Sequence, residues 1–313
     1  MKFALVFPGQ GSQSLGMMAA YGDSAVVRTT FEEASQALGR DLWKLVTDGP
    51  ADALNQTVNT QPLMLTAGIA VYRLWQERGG PLPALVAGHS LGEYSALVAA
   101  GVLTLGDAVP LVELRAKAMQ EAVPAGEGAM AAVLGLDAAT VATACEESAQ
   151  GQVVQAVNFN APEQTVIAGH KAAVERAAEA CKAKGAKRAV MLPVSAPFHC
   201  ALMQPAADKL KARLNELSLA APKIGVINNV DVAMPSDPAA IKDALGRQAA
   251  APVRWVETMR AMQAAGVTHV FECGPGKVLA GLVKRCADGV AGGAMADLAG
   301  VEAALAIVKG QEQ

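Results

Sequence analysis

Histidine, cysteine and aromatic residues are scarce in this chain: four His, five Cys and 4 % aromatics in 313 positions. The cysteines (Cys145, Cys181, Cys200, Cys273, Cys286) are odd in number and include no Cys-x-x-Cys pair. That pattern excludes a disulfide framework and a cysteine-based zinc site, and favours a reducing, cytoplasmic setting. Uninterrupted apolar runs of about 18 residues, the length a spanning helix needs, are also missing. Asp107 and Asp288 break the longest candidates, so no membrane span is expected. The first apolar run, Phe3 to Phe7, stops at Pro8-Gly9-Gln10, too early for a secretory signal, and reads as a strand. Neither sign of charge dominates. With 26 basic and 29 acidic residues and no long block of either, the chain carries no nucleic-acid footprint. What is present in quantity is apolar material, 52 % of the residues, enough for one large domain and a smaller inserted one.

Short β-prone runs alternate with Ala- and Leu-rich segments of helical period, the pattern of an α/β domain with a mainly parallel sheet. Helices are expected at 60–77, 91–101 and 107–123, the last capped by Asp107, with a strand at 84–88. From Ala129 to Pro193 the rhythm changes to strand, helix, strand, strand, helix, strand. That βαββαβ order is ferredoxin-like. The expected division is therefore a large domain of residues 1–126 and 197–313 and a small ferredoxin-like α+β domain of 127–196. Beyond it come helices at 201–217, 238–249 and 256–265, strands at 224–228 and 269–272, and a Gly-rich loop at 288–293.

Gly88-His89-Ser90-Leu91-Gly92 falls between an expected strand and an expected helix, the setting of a nucleophile elbow. Such a turn pushes the serine outward, and the adjoining helix N-terminus offers N–H groups to an oxyanion. A serine hydroxyl needs a base, and the choice among His89, His170, His199 and His269 is short. His89 is expected to point away around the turn, His170 belongs to the small domain and His269 begins a strand. His199, in Pro197-Phe198-His199, lies where the chain re-enters the large domain, and is the preferred base. Two glycine motifs point nowhere: Gly274-Pro275-Gly276-Lys277 lacks phosphate-loop spacing, and Gly9-Gln10-Gly11 lacks the third glycine of a dinucleotide fingerprint.

Six segments taken together resemble the bacterial malonyl-CoA:acyl carrier protein transacylase family. They are Phe7-Pro8-Gly9-Gln10-Gly11-Ser12-Gln13, the elbow through Ser95, the surroundings of Arg115, Val157-Asn158-Phe159-Asn160, Pro197-Phe198-His199 and Gly274-Pro275-Gly276-Lys277. They span nearly the whole chain in order. The resemblance implies an α/β-hydrolase-like large domain and a Ser90–His199 dyad whose imidazole is oriented by a main-chain carbonyl near Gln248. It also implies an oxyanion hole from the N–H groups of Gln10 and Leu91, and a bidentate grip of Arg115 on a malonyl carboxylate. Supporting places are implied for His89, Asn160 and Gln61, and Phe198 is similar to the residue that goes with malonyl rather than methylmalonyl.

The implied reaction moves malonyl from malonyl-CoA to acyl carrier protein through a malonyl-serine, without metal or redox cofactor. The carrier of that pathway is acidic, so Lys182, Lys184, Lys187, Arg188, Lys284 and Arg285 are expected to form its docking patch. A polyketide-synthase acyltransferase, a serine thioesterase or esterase, and a catalytically idle docking module are the alternatives.

Overall fold

The strands of the computed structural model, which describes residues 1–310, are β1 (Phe3–Phe7), β2 (Leu85–Gly88), β3 (Gly128–Leu134), β4 (Val154–Ala161), β5 (Gln164–His170), β6 (Arg188–Met191), β7 (Gly225–Ile227), β8 (His269–Glu272) and β9 (Ala291–Ala294). They form two sheets. In the larger one the order is β7-β2-β1-β8-β9 and every pairing is parallel. All five residues of β1 are buried, as expected for the middle strand of a sheet covered on both faces. Alternation sorts its side chains. Phe3, Leu5 and Phe7 join the core that contains the helix Thr57–Glu77, while Ala4 and Val6 join the core that contains Trp255, Met259 and Leu282.

The second sheet has the order β4-β5-β3-β6 and is antiparallel throughout, the ferredoxin-like arrangement of a βαββαβ chain. Helices Ala138–Ser148 and Lys171–Ala183 cover one face through Val141, Cys145, Val174 and Cys181. The other face presents Met130, Val157 and Val166 to Cys200 and Phe198 of the returning chain. Main-chain bonds tie the two units: Val253 N–H donates to Val157 O at 2.8 Å, and Phe159 N–H donates to Val253 O at 3.0 Å. A cleft therefore opens between the small sheet and the C-terminal ends of β1 and β2.

Three expectations need correction. The helix expected to start at Asp107 runs Leu105–Glu121, and its cap is Thr104, whose Oγ1 accepts from the Asp107 N–H at 3.1 Å. The Gly-rich segment taken for a surface loop supplies the edge strand β9. Glycine is needed there for closeness: a Cβ on Gly293 would stand 2.7 Å from Phe271 Cδ1, and one on Gly292 would stand 2.7 Å from Ala280 O. The helix expected over 201–217 opens as a 3₁₀ turn at Ala201–Met203 before becoming α-helical at Gln204–Glu216.

Candidate active site

Ser90 occupies the turn between β2 and the helix Gly92–Ala99 with φ 53°, a conformation that non-glycine residues rarely hold. The flanking glycines make the turn possible. A Cβ on Gly88 would lie 1.8 Å from Gly92 C, and one on Gly92 would lie 2.1 Å from Phe7 O. Asn229, after β7, straps the elbow from below: its Oδ1 accepts from the Ser90 N–H at 2.8 Å and its Nδ2 donates to Gly88 O at 2.7 Å.

His199 also adopts a positive φ, 66°, and reaches Ser90 across the cleft, with Nε2 at 2.6 Å from Oγ. Its Nδ1 lies 3.0 Å from the main-chain oxygen of Gln248. A carbonyl only accepts, so Nδ1 carries the proton and the Nε2 lone pair is left to take the hydroxyl proton of Ser90. The ring is 3 % exposed. Burial, and next the positive charge of Arg115, push its pKa down to about 3, so the imidazole is neutral at ordinary pH.

Arg115 is 1 % exposed, midway along the helix Leu105–Glu121. Nη1 donates to Gln61 Oε1 at 3.0 Å; Nη2 donates to Gln248 Oε1 at 2.9 Å and to Ser90 Oγ at 3.1 Å. The guanidinium carbon lies 5.5 Å from the Tyr94 ring centre. Among the described residues no carboxylate pairs with Arg115, and its Nε has no partner. Burying a cation is costly without a bonded anion, so the geometry favours a negatively charged group beside Ser90.

These groups open on a cavity of about 530 Å³. Ser90, His199, Arg115, Gln10, Leu91, Gln61, His89 and Phe198 all line it, with Met130, Asn158 and Leu192 from the small-sheet side. The N–H groups of Gly92, Glu93 and Tyr94 are taken by carbonyls of the preceding turn, whereas those of Gln10 and Leu91 meet no acceptor among the described residues. Gln248 stands behind the cavity wall. Asn160 is away from the cavity too: its Oδ1 faces His89 Nε2 at 2.7 Å, and the His89 ring packs 5.3 Å from Trp255.

Sequence reasoning passed over Asn158, whose buried Oδ1 has no partner although the residue lines the cavity. A period of two places Asn158 and Asn160 on one face of β4. Register shifts at Ala156/Asn158 and Phe159/Ala161 then separate them, which the alternation could not reveal. Glu93 and Asn229 were passed over as well. No helix among the described residues is long and apolar enough to cross a membrane.

Residues 4–303 match the family model described as the acyl transferase domain. The malonyl CoA-acyl carrier protein transacylase of Salmonella typhimurium is 59 % identical over 305 residues, covering 97 % of this chain and 99 % of that one. The chain belongs to this transacylase family. The family member from Bacillus subtilis is 47 % identical over 286 residues, 91 % of this chain and 90 % of its own. The acyl-carrier-protein S-malonyltransferase of Burkholderia pseudomallei superposes with a TM-score of 0.96 at 62 % identity, covering 97 % of this chain and 99 % of that one. A malonyl-transacylase in complex with a type II PKS acyl-carrier protein gives 0.96 at 55 % identity, with the same coverage.

Proposed function

We propose that this chain transfers a malonyl group from malonyl-CoA to the phosphopantetheine thiol of an acyl carrier protein, supplying fatty acid synthesis, with Ser90 carrying the acyl group between the two. The observation that carries the reading is the buried Arg115, bonded to no carboxylate among the described residues, held 3.1 Å from the oxygen of a serine already bonded to an imidazole.

In the first half-reaction His199 Nε2 takes the Ser90 proton as Oγ attacks the thioester carbonyl. The N–H groups of Gln10 and Leu91 receive the developing oxyanion, and coenzyme A leaves as a thiol with the proton from His199. In the second, His199 takes the proton of the carrier's thiol, the sulfur attacks the ester, and Ser90 recovers its hydrogen. Thioester becomes ester and then thioester again, so the chemistry asks for no redox or metal cofactor. The guanidinium pairs with the malonyl carboxylate, with Gln61 and Gln248 fixing its plane. His89 and Asn160 support the wall behind the elbow, and Phe198 fills the space a branched acyl group would need.

The small-domain assignment of residues 127–196, the cytoplasmic setting and the carrier's docking patch belong to the same proposal. Arg188, Leu134 and Gln164 stand in one row across the small sheet, and Arg285 donates to Gln164 Oε1 at 2.6 Å, which brings basic groups from both parts of the chain to one end. Lys182 and Lys184 are engaged with Glu179 and Glu147, and contribute less to such a patch.

Intact-protein mass after brief exposure to malonyl-CoA tests the reading. A malonyl adduct on the wild type, absent in Ser90→Ala and discharged by a thiol-form carrier, is expected. An adduct that decays to free malonate with or without carrier would replace the transferase by a thioesterase. Running fatty-acid and polyketide carriers side by side decides which pathway is served.

A further inference from the structure

We propose that Glu93 is a positioning residue for the acyl transfer, holding the Gln248 amide in the one orientation that serves both Arg115 and His199; the inference rests on the acyl-serine reading above. Glu93 lies in the first turn of the helix Gly92–Ala99, directly after the elbow, and is 2 % exposed. Its Oε2 accepts from Gln248 Nε2 at 3.0 Å and from the Asn229 main-chain N–H at 2.9 Å. Gln248 is fully buried and faces four ways. Nε2 also donates to Ser90 O at 2.9 Å, Oε1 accepts from Arg115 Nη2, and the main-chain oxygen accepts from His199 Nδ1. Nucleophile, base and guanidinium thus meet at one residue, and the Glu93 carboxylate bonds to none of the three directly; only its main-chain N–H meets Ser90, at the carbonyl.

The orientation of that amide is dictated by its neighbours. A guanidinium only donates, while the Ser90 carbonyl and the Glu93 carboxylate only accept. Turning the amide over would set its NH₂ against the guanidinium and its oxygen against two acceptors. The carboxylate doubles the acceptors on the nitrogen side, and so doubles the penalty for turning. Keeping a carboxylate in this position is expensive. No cation pairs with it directly among the described residues, and burial pushes its pKa up to about 7 against the pull of Gln248, Asn229 and Arg115. A neutral side chain of the same shape would serve packing equally well; the negative charge is needed to hold the amide.

The test compares wild type, Glu93→Gln, Gln248→Ala and the double variant, each first shown to unfold cooperatively. The readout is the single-turnover rate of malonyl-serine formation, followed by intact mass. Glu93→Gln is expected to slow loading on the order of 10-fold to 100-fold, the scale of a modest misplacement of reacting groups. Gln248→Ala should lose at least as much, and the double variant no more than Gln248→Ala alone when Glu93 acts through that amide; a further loss would assign its effect to the Asn229 main chain that straps the elbow. Loading of Glu93→Gln within about 2-fold of wild type, or a double variant that loses the product of the two single losses, overturns the inference. Should Glu93→Gln not fold, Glu93→Asp keeps the charge one methylene short. It is expected to load more slowly than wild type and to cost nothing further in the Gln248→Ala background; wild-type loading by Glu93→Asp, or an equal further loss in the Gln248→Ala background, counts against the role. A wild type that forms no adduct defeats the acyl-serine reading instead, so the two failures are told apart.

Discussion

Arg115 Nη2 donates to the same oxygen, Ser90 Oγ, that faces His199 Nε2. In the resting site the cation therefore does two opposing things. It lowers the proton affinity of the serine oxygen, and it lowers the basicity of the imidazole. A carboxylate placed on the guanidinium cancels the second effect at the moment the base is needed.

Arg115→Ala is accordingly expected to slow malonyl loading on the order of 100-fold, about 3 kcal/mol, the scale of a broken buried charge pair. Acetyl loading, which gains nothing from the cation, should rise in the same variant. Rates of adduct formation with the two donors check this. A parallel fall for both would remove Arg115 from selectivity.

Proton linkage gives a second prediction with opposite signs for two residues. The folded value of His199 is about 3, below the ordinary imidazole value near 6.5, so between them the unfolded chain holds more protons. Its contribution to stability falls as pH drops from about 6.5 toward 3. Glu93, raised to about 7 from 4.5 with Arg115 and Asp231 as its charged neighbours, behaves the other way, and its contribution falls as pH rises across that interval. Urea unfolding from pH 4.5 to 7.5 should show wild type losing ground to His199→Gln toward acid and to Glu93→Gln toward neutrality. Flat differences would contradict both.

Two glycine substitutions should part sharply. Gly88→Ala forces a Cβ to 1.8 Å from main chain and is expected to cost more than about 4 kcal/mol or prevent folding. Gly281→Ala, inside the exposed side of the helix Val278–Cys286 with nothing within 4 Å, should stabilise by about 0.5–1 kcal/mol. Thermal or urea unfolding measures both.

Phe198 lines the cavity beside His199. Phe198→Ala should raise the methylmalonyl-to-malonyl loading ratio about 10-fold, the scale at which a pocket senses one methyl group. An unchanged ratio would free Phe198 of that role.

The meeting of Ser90 with His199 and most of the larger sheet were readable from the chain because their signals are local or scarce. Gly88 and Gly92 flag the elbow, and only four histidines compete for Ser90. Asp107 reads as the cap because its residue type caps well, and the true cap, Thr104, three residues earlier, depends on where the chain enters the helix. β9 looked like a loop because its glycines are chosen by Phe271 and Ala280, which lie outside the segment in the strand and helix before it. Glu93 stood in the elbow segment with no role attached to it. A glutamate in a first helical turn ordinarily faces water, and only Asn229 and Gln248, well over a hundred residues away, turn it inward.

Ser90 and His199 are separated by 109 residues, and the whole of the small sheet lies between them. The two ends of that insertion meet: a Cβ on Gly128 would fall 2.4 Å from Pro197 Cδ. Once β3 to β6 have paired, the intervening loop is already closed, and bringing serine to histidine costs the chain entropy of a much shorter path. The meeting of serine and histidine thus depends on the small sheet: while β3 to β6 stay paired the connecting path is short, and fraying there lengthens the loop that has to close.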